Sequence, residues 1–149
     1  MAIQKKYKTL TQRTKKLLAG GENAAVDYKK KADGLHAEDL VSFANSAGGG
    51  DILIGVADAV RADGSQYGEV VGTDISDGTV LQILNKAISC IPPVSINVFA
   101  ENTEGEAVLR VQIPSSDSKP HCTQKGVYSV RDGARNRPLQ PSPGKRTRG

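Results

Sequence analysis

The sequence predicts an α+β domain, a mixed β-sheet with helices packed on it, on three observations. Three segments carry apolar residues at helical spacing and end at glycine or proline. Residues 51–56 form a short apolar run with the composition of a strand buried on both faces. Two alternating runs, 94–100 and 107–113, flank a Thr103-Glu104-Gly105 turn and read as a hairpin.

Taken in order, Leu10, Arg13, Lys16 and Leu17-Leu18 lie in a basic segment stopped by Gly20-Gly21, a helix with a thin apolar stripe. Residues 26–31 fit a short strand whose lysine-rich end faces solvent. Leu35, Leu40, Val41 and Phe43-Ala44 have near-helical spacing, broken by Gly48-Gly49-Gly50. After the buried strand at 51–56, Arg61-Ala62-Asp63-Gly64-Ser65 is a turn leading to a strand at 69–71. Val80, Leu81, Ile83, Leu84, Ala87 and Ile88 form the third helix, capped by Ser76 or Asp77 and followed by Pro92-Pro93. The hairpin comes next, then a last strand at 126–131. This order suits a mixed sheet and not a doubly wound parallel one. Residues 1–21 read as a basic N-terminal helix or arm, 22–137 as the folded domain, and 138–149 as a disordered basic tail.

At 149 residues the chain is long enough for one domain with a proper core. Its net charge of +4 is unevenly spread. Residues 1–31 carry nine bases against two acids, 33–117 carry thirteen acids against three bases, and 118–149 carry eight bases and one acid. Basic ends around an acidic middle suit arms that grip phosphates on a core that holds carboxylates. Aromatic residues make up 4% with no Trp, which argues against base stacking as the main grip. Cys90 and Cys122 are too few for a disulfide framework, and with His36 and His121 they lack the spacing of a structural zinc site. Reduced thiols, no spanning apolar run and no signal-peptide core fit a soluble cytoplasmic protein.

The chemistry concentrates between residues 22 and 58. On a strand, Asp27 and Lys29 share one face, which can hold a metal and place a cation beside a phosphate oxygen. Alone, the Asp27-Tyr28-Lys29 pattern is equally that of a solvated strand. Asp58 follows the buried strand and Glu22 follows a glycine pair, so three carboxylates at one edge would need a cation between them. The alternative is a local cap for Glu22 and a turn at Asp58. Gly48-Gly49-Gly50 lacks the following Gly-Lys-Ser/Thr of a phosphate loop and reads as a tight helix-to-strand connection. Neither histidine sits in the setting of a nucleophile triad. Arg131, Arg135 and Arg137, around Gly133, form a candidate backbone clamp, or a solvated loop.

Together, Glu22, Val26-Asp27-Tyr28-Lys29, Phe43-Ala44-Asn45 with Gly48-Gly49, Ile54-Gly55-Val56-Ala57-Asp58 and Arg131-Asp132-Gly133 resemble the Schlafen AlbA-like domain. The resemblance spans about residues 20–137. It implies an AlbA-like α/β domain that binds nucleic acid. In animal members it also implies an endoribonuclease cutting structured RNA such as transfer RNA with three carboxylates and divalent metal. Those carboxylates fall here on Glu22, Asp27 and Asp58. Asp27 replaces a glutamate, Ala57 replaces the first aspartate of a pair, and the zinc-binding cysteines of the animal enzymes have no counterpart. One lobe where the animal proteins carry two implies a homodimer.

The expectation is therefore a metal-dependent endoribonuclease. Glu22, Asp27 and Asp58 hold Mg²⁺ or Mn²⁺, and Lys29 neutralises phosphate charge. Lys5, Lys6, Lys8, Arg13, Lys15, Lys16, Lys30, Lys31, Arg131, Arg135 and Arg137 grip the backbone, of RNA in preference to DNA. The rival expectation is a non-catalytic DNA- or RNA-binding module.

Overall fold

The computed structural model describes residues 3–139, so the tail expected from 138 onward lies outside the described residues from residue 140. In chain order the elements are β1 (Ile3–Lys6), α1 (Gln12–Ala19), β2 (Val26–Lys29), a 3₁₀ turn (Ala32–Gly34), α2 (Ala37–Ala44), β3 (Gly50–Ile54), β4 (Val56–Val60), β5 (Gln66–Val70), α3 (Asp77–Ile88), β6 (Asn97–Glu101), β7 (Val108–Ile113), β8 (Ser129–Asp132) and β9 (Arg135–Pro138). Five strands make a mixed sheet in the order β1-β6-β7-β3-β2, and β4–β5 and β8–β9 are separate hairpins. Within the sheet β1 lies parallel to β6 and β2 to β3, while β7 is antiparallel to both its neighbours. The expected α+β class is the one observed. Among the described residues no helix is long and apolar enough to cross a membrane.

Period-2 alternation along the strands gives the sheet two apolar faces. Ile52, Ile54, Val98, Leu109, Val111 and Ile113 face α2 and α3 and pack with Leu40, Phe43, Val80 and Ile83. Val26, Tyr28, Leu53 and Val108 face the other way, against Leu18 of α1 and Val56 of β4. All three helices begin at capped ends: Thr11 and Ser76 accept from the Thr14 and Thr79 N–H groups, and Asp39 accepts from the His36 N–H in a capping box.

Beneath the start of α1 the second face turns ionic. Arg110 donates to Glu101 at 2.9 Å and to Asp51 at 3.2 Å, and both carboxylates are fully buried. Arg13 pairs with the other oxygen of Asp51, and Thr11 and Thr14 donate to Glu101. Each buried charge thus has partners, which is what allows it to be buried.

The Phe43–Gly50 connection is built on close approach. A Cβ on Gly50 would lie 2.3 Å from the Phe43 ring, and one on Gly49, at φ +62°, would lie 2.3 Å from the Ile113 carbonyl. Asn45 accepts from the His121 N–H and donates to the His121 and Ser129 carbonyls, fastening the C-terminal hairpin to the end of α2.

Three strands differ from expectation. The run at 51–56 is split at Gly55, whose φ of +98° ends β3 and starts β4 in a new hairpin. Residues 3–6, expected in a basic helix or arm, form edge strand β1. Residues 135–138 pair back on β8 as β9.

Candidate functional site

Strand β2 is one edge of the sheet, paired only with β3, so the Val26 and Tyr28 peptide groups point away from it. Glu22 fills that edge: its Oε2 accepts the Tyr28 N–H at 2.8 Å. Arg131 covers the neighbouring carbonyls, donating to Asn23 and Val26 at 3.3 Å each. The side chains of Asp27 and Lys29 turn to the α2 face. Lys29 Nζ lies 3.3 Å from Asp27 and 3.4 Å from Asp39, and Arg131 lies 3.6 Å from Asp27 and stacks over Phe43. Asp58, exposed, is carried by β4 opposite Gly68, in the hairpin that covers Tyr28 on the α1 face.

The electrostatics follow from this crowding. Burial first, then a hydrogen bond to Asp27 and the charges of Asp27 and Asp58, push the Glu22 pKa up to about 8 against the opposing Tyr28 N–H. Burial, then Glu22 and Asp58, push the Tyr28 phenol up to about 12. Burial works against the Lys29 ammonium, but Asp39 and Asp27 outweigh it and hold its pKa above the ordinary lysine value. Lys29 therefore stays charged and cannot serve as a base near neutral pH.

The three expected carboxylates are thus within electrostatic reach of one another but not in one cluster. Glu22 and Asp27 meet at the edge, whereas Asp58 approaches from the opposite face of the sheet. Among the described residues no group of three or more His, Cys, Asp or Glu side chains is arranged to hold a metal ion. A preformed three-carboxylate cage is therefore absent. Mg²⁺, however, binds through one or two carboxylates, waters and substrate phosphates, and the all-oxygen pair Glu22–Asp27 fits that mode.

Of the expected backbone-gripping residues, Lys5, Lys6, Lys8, Lys15, Lys16, Lys30 and Lys31 are exposed. Arg13 is half-exposed but committed to Asp51. Arg135 and Arg137 are exposed and flank Asp132 at 3.4 and 3.2 Å. Arg131 departs from the expected open clamp: at 9% exposure it is a strut between β8 and β2 and is not free to grip a phosphate. Asp39, which the sequence reasoning passed over, holds Lys29 and accepts from Asn136 of β9. Its position three residues after His36, at a helix start, was its only signal.

The family model described as Schlafen, AlbA_2 matches residues 22–140. Solved structures similar in fold include two of bacterial proteins. One is the N-terminal domain of a protein related to the ATP-dependent DNA helicase RecG, from Nitrosomonas europaea. It is 24% identical with a TM-score of 0.59, over 81% of this chain and 82% of that one. The other is the DIP2311 protein from Corynebacterium diphtheriae, 17% identical with a TM-score of 0.56. There the match covers 85% of this chain but only 25% of the longer one. A search of curated proteins returned no match.

Proposed function

This chain belongs to the Schlafen, AlbA_2 family, and on that premise we propose that it is a metal-dependent endoribonuclease acting on structured RNA such as transfer RNA. One observation carries the reading: Glu22 and Asp27 meet at one sheet edge beside a charged lysine and within electrostatic reach of Asp58, and among the described residues Glu22 has no salt-bridge partner. A carboxylate perturbed in this way at an open sheet edge is a functional-site candidate.

Glu22 and Asp27 would hold Mg²⁺ or Mn²⁺, which when bound supplies charge neutralisation at the scissile phosphate and a water of lowered pKa. Asp58, solvent-facing on the hairpin, adds negative charge to this edge from the other face of the sheet and would serve as a proton acceptor once RNA spans the edge. Lys29, kept protonated by Asp39 and Asp27, stabilises negative charge on the phosphate oxygens. Arg131 and Asp39 act as positioning residues that fix Asp27 and Lys29. The exposed lysines of β1, α1 and the segment after β2 hold the RNA backbone, with an affinity that falls as salt rises. A homodimer would set two such surfaces along one structured RNA.

A second reading has an observation of its own. Asp27 is already neutralised by Lys29 and Arg131, as expected of a non-catalytic DNA- or RNA-binding module whose acids serve only the edge strand. Asp58→Asn separates the two, because Asp58 is exposed and the change alters stability by no more than about 0.5 kcal/mol. The nuclease reading expects Mn²⁺-dependent cleavage of labelled transfer RNA to fall at least tenfold with melting unchanged. Cleavage by the variant at the wild-type rate overturns it.

A further inference from the structure

On its second face the half of the sheet farthest from the carboxylates is only partly covered. Helix α1 and the β4–β5 hairpin pack on β2, β3 and part of β7 on the second face, while Lys5 of β1, Tyr7 just after it and Phe99 of β6 stay partly or fully exposed beside the start of α1. There Tyr7 and Phe99, both half-buried, are neighbours with ring centroids 6.5 Å apart and planes tilted by 47°. The Lys5 ammonium sits 5.1 Å from the Tyr7 centroid, and the buried Arg110 guanidinium lies 4.3 Å from that of Phe99. On the same face, two residues before Phe99, Asn97 donates to the Gln112 side chain opposite it at 3.1 Å.

We infer that this face is a binding site for single-stranded nucleic acid, with Tyr7 and Phe99 as the stacking platform for unpaired bases and Lys5 holding the adjoining phosphate. The inference rests on the nucleic-acid part of the reading above and gives that surface its substrate class. Charge selects the occupant. The exposed Lys5 adjoins the platform, Lys6 lies on the other face of β1 opposite Ala100, and the acids beneath the platform, Glu101 and Asp51, are buried and matched by Arg110 and Arg13. An aromatic pair beside Lys5 suits bases joined by phosphates, since every base has a stackable face, and with aromatic residues scarce in the chain it supplements the lysine grip on phosphates. The paired amides of Asn97 and Gln112 add donors and acceptors beside the rings.

Helix α1 links this platform to the carboxylate edge. Its start is tied to Glu101 of β6, and its last turn receives the Tyr28 hydroxyl of β2 at the Leu17 carbonyl. Strands β1 and β2 are four places apart in the sheet, roughly 19 Å at about 4.8 Å per strand. Lys15 and Lys16 lie exposed along the crossing helix. An unpaired strand anchored at Tyr7 therefore has a basic track along α1 toward the β2 edge that Glu22 closes, so the favoured RNA carries an unpaired stretch beside the cleaved bond.

The test measures fluorescence anisotropy of the full chain with a fluorescein-labelled twelve-nucleotide oligo(U) and with a twelve-base-pair RNA duplex, across a salt series in EDTA. Wild type is expected to bind the single strand more tightly than the duplex. Tyr7→Leu, which keeps apolar bulk, is expected to weaken single-strand binding about tenfold without changing the salt slope, and Tyr7→Phe to bind like wild type. Lys5→Ala is expected to lower the salt slope by about one. Circular dichroism melts show whether each variant is folded. If Tyr7→Leu misfolds, the Lys5→Ala slope and the preference for single strand carry the test. Asp58→Asn is expected to bind normally, so loss of cleavage with normal binding bears on the nuclease alone. Equal binding of single strand and duplex, an unaltered Tyr7→Leu, or a dimer that buries Tyr7 and excludes oligo(U) overturns the inference.

Discussion

Glu22 serves two purposes that pull against each other. Its carboxylate closes the open edge of β2 on the Tyr28 N–H, yet the same position sets it beside Asp27 and Asp58, and its pKa rises from 4.5 to about 8. With metal removed, a group raised in this way contributes stability that is fully present below its unfolded value and lost as pH rises through its folded value. Glu101 runs the other way. Burial alone would raise it, but hydrogen bonds from the Thr11 N–H, Arg110 and the Thr14 and Thr11 hydroxyls outweigh burial and hold it low. Its contribution is present above the ordinary glutamate range and lost as pH falls through the depressed value. In EDTA the protein should therefore be most stable near about pH 5 and lose stability steadily toward about pH 8. Thermal melts across that range check this, and a flat profile contradicts it. At this scale Asp27 and Lys29 were legible because strand alternation puts them on one face. The partner that neutralises Asp27 was not. Arg131 reads as one more arginine in a basic loop, and only the return of β8 across α2 buries it.

The elements show where close approach decides structure. Gly50 lets β3 pass the Phe43 ring and the Ala25 carbonyl, which would lie 2.3 and 2.8 Å from any added Cβ. That carbonyl accepts the Asp51 N–H that joins β2 to β3. Gly50→Ala must shift either the ring or the pairing that positions Asp27, and should cost about 1–3 kcal/mol in urea denaturation. A cost within error of zero would mean the connection is looser than the geometry indicates. Helix α3 was legible because Ser76 caps it and prolines follow it. The split at Gly55 was hidden, since an apolar run of six residues reads as one strand until a positive φ turns it. β1 and β9 were hidden too: Ile3–Lys6 and Arg135–Pro138 have almost no apolar pattern and exist through pairing to β6 and β8.

At the scale of the whole molecule, two structures hold the sheet together from opposite sides. The apolar side rests on α2 and α3. The ionic side joins α1, β3, β6 and β7 through Arg110, whose two carboxylate partners are fully buried. Arg110→Met leaves Asp51 with Arg13 alone and removes the cation facing Glu101, which should cost about 3–5 kcal/mol in urea. A loss under about 1 kcal/mol would assign the cohesion to the apolar side alone. The same sheet separates an acidic edge at β2 from a basic, aromatic face at β1, with α1 between them.

The central claim is that Glu22 is retained for chemistry at the expense of stability, and Glu22→Gln tests it most directly. The amide can still accept from the Tyr28 N–H but carries no charge. The measurement pairs a thermal melt at about pH 8 in EDTA with cleavage of labelled transfer RNA in Mn²⁺. The variant should melt above wild type and yield no metal-dependent fragments. A variant that melts no higher, or that cuts RNA as wild type does, would contradict the claim.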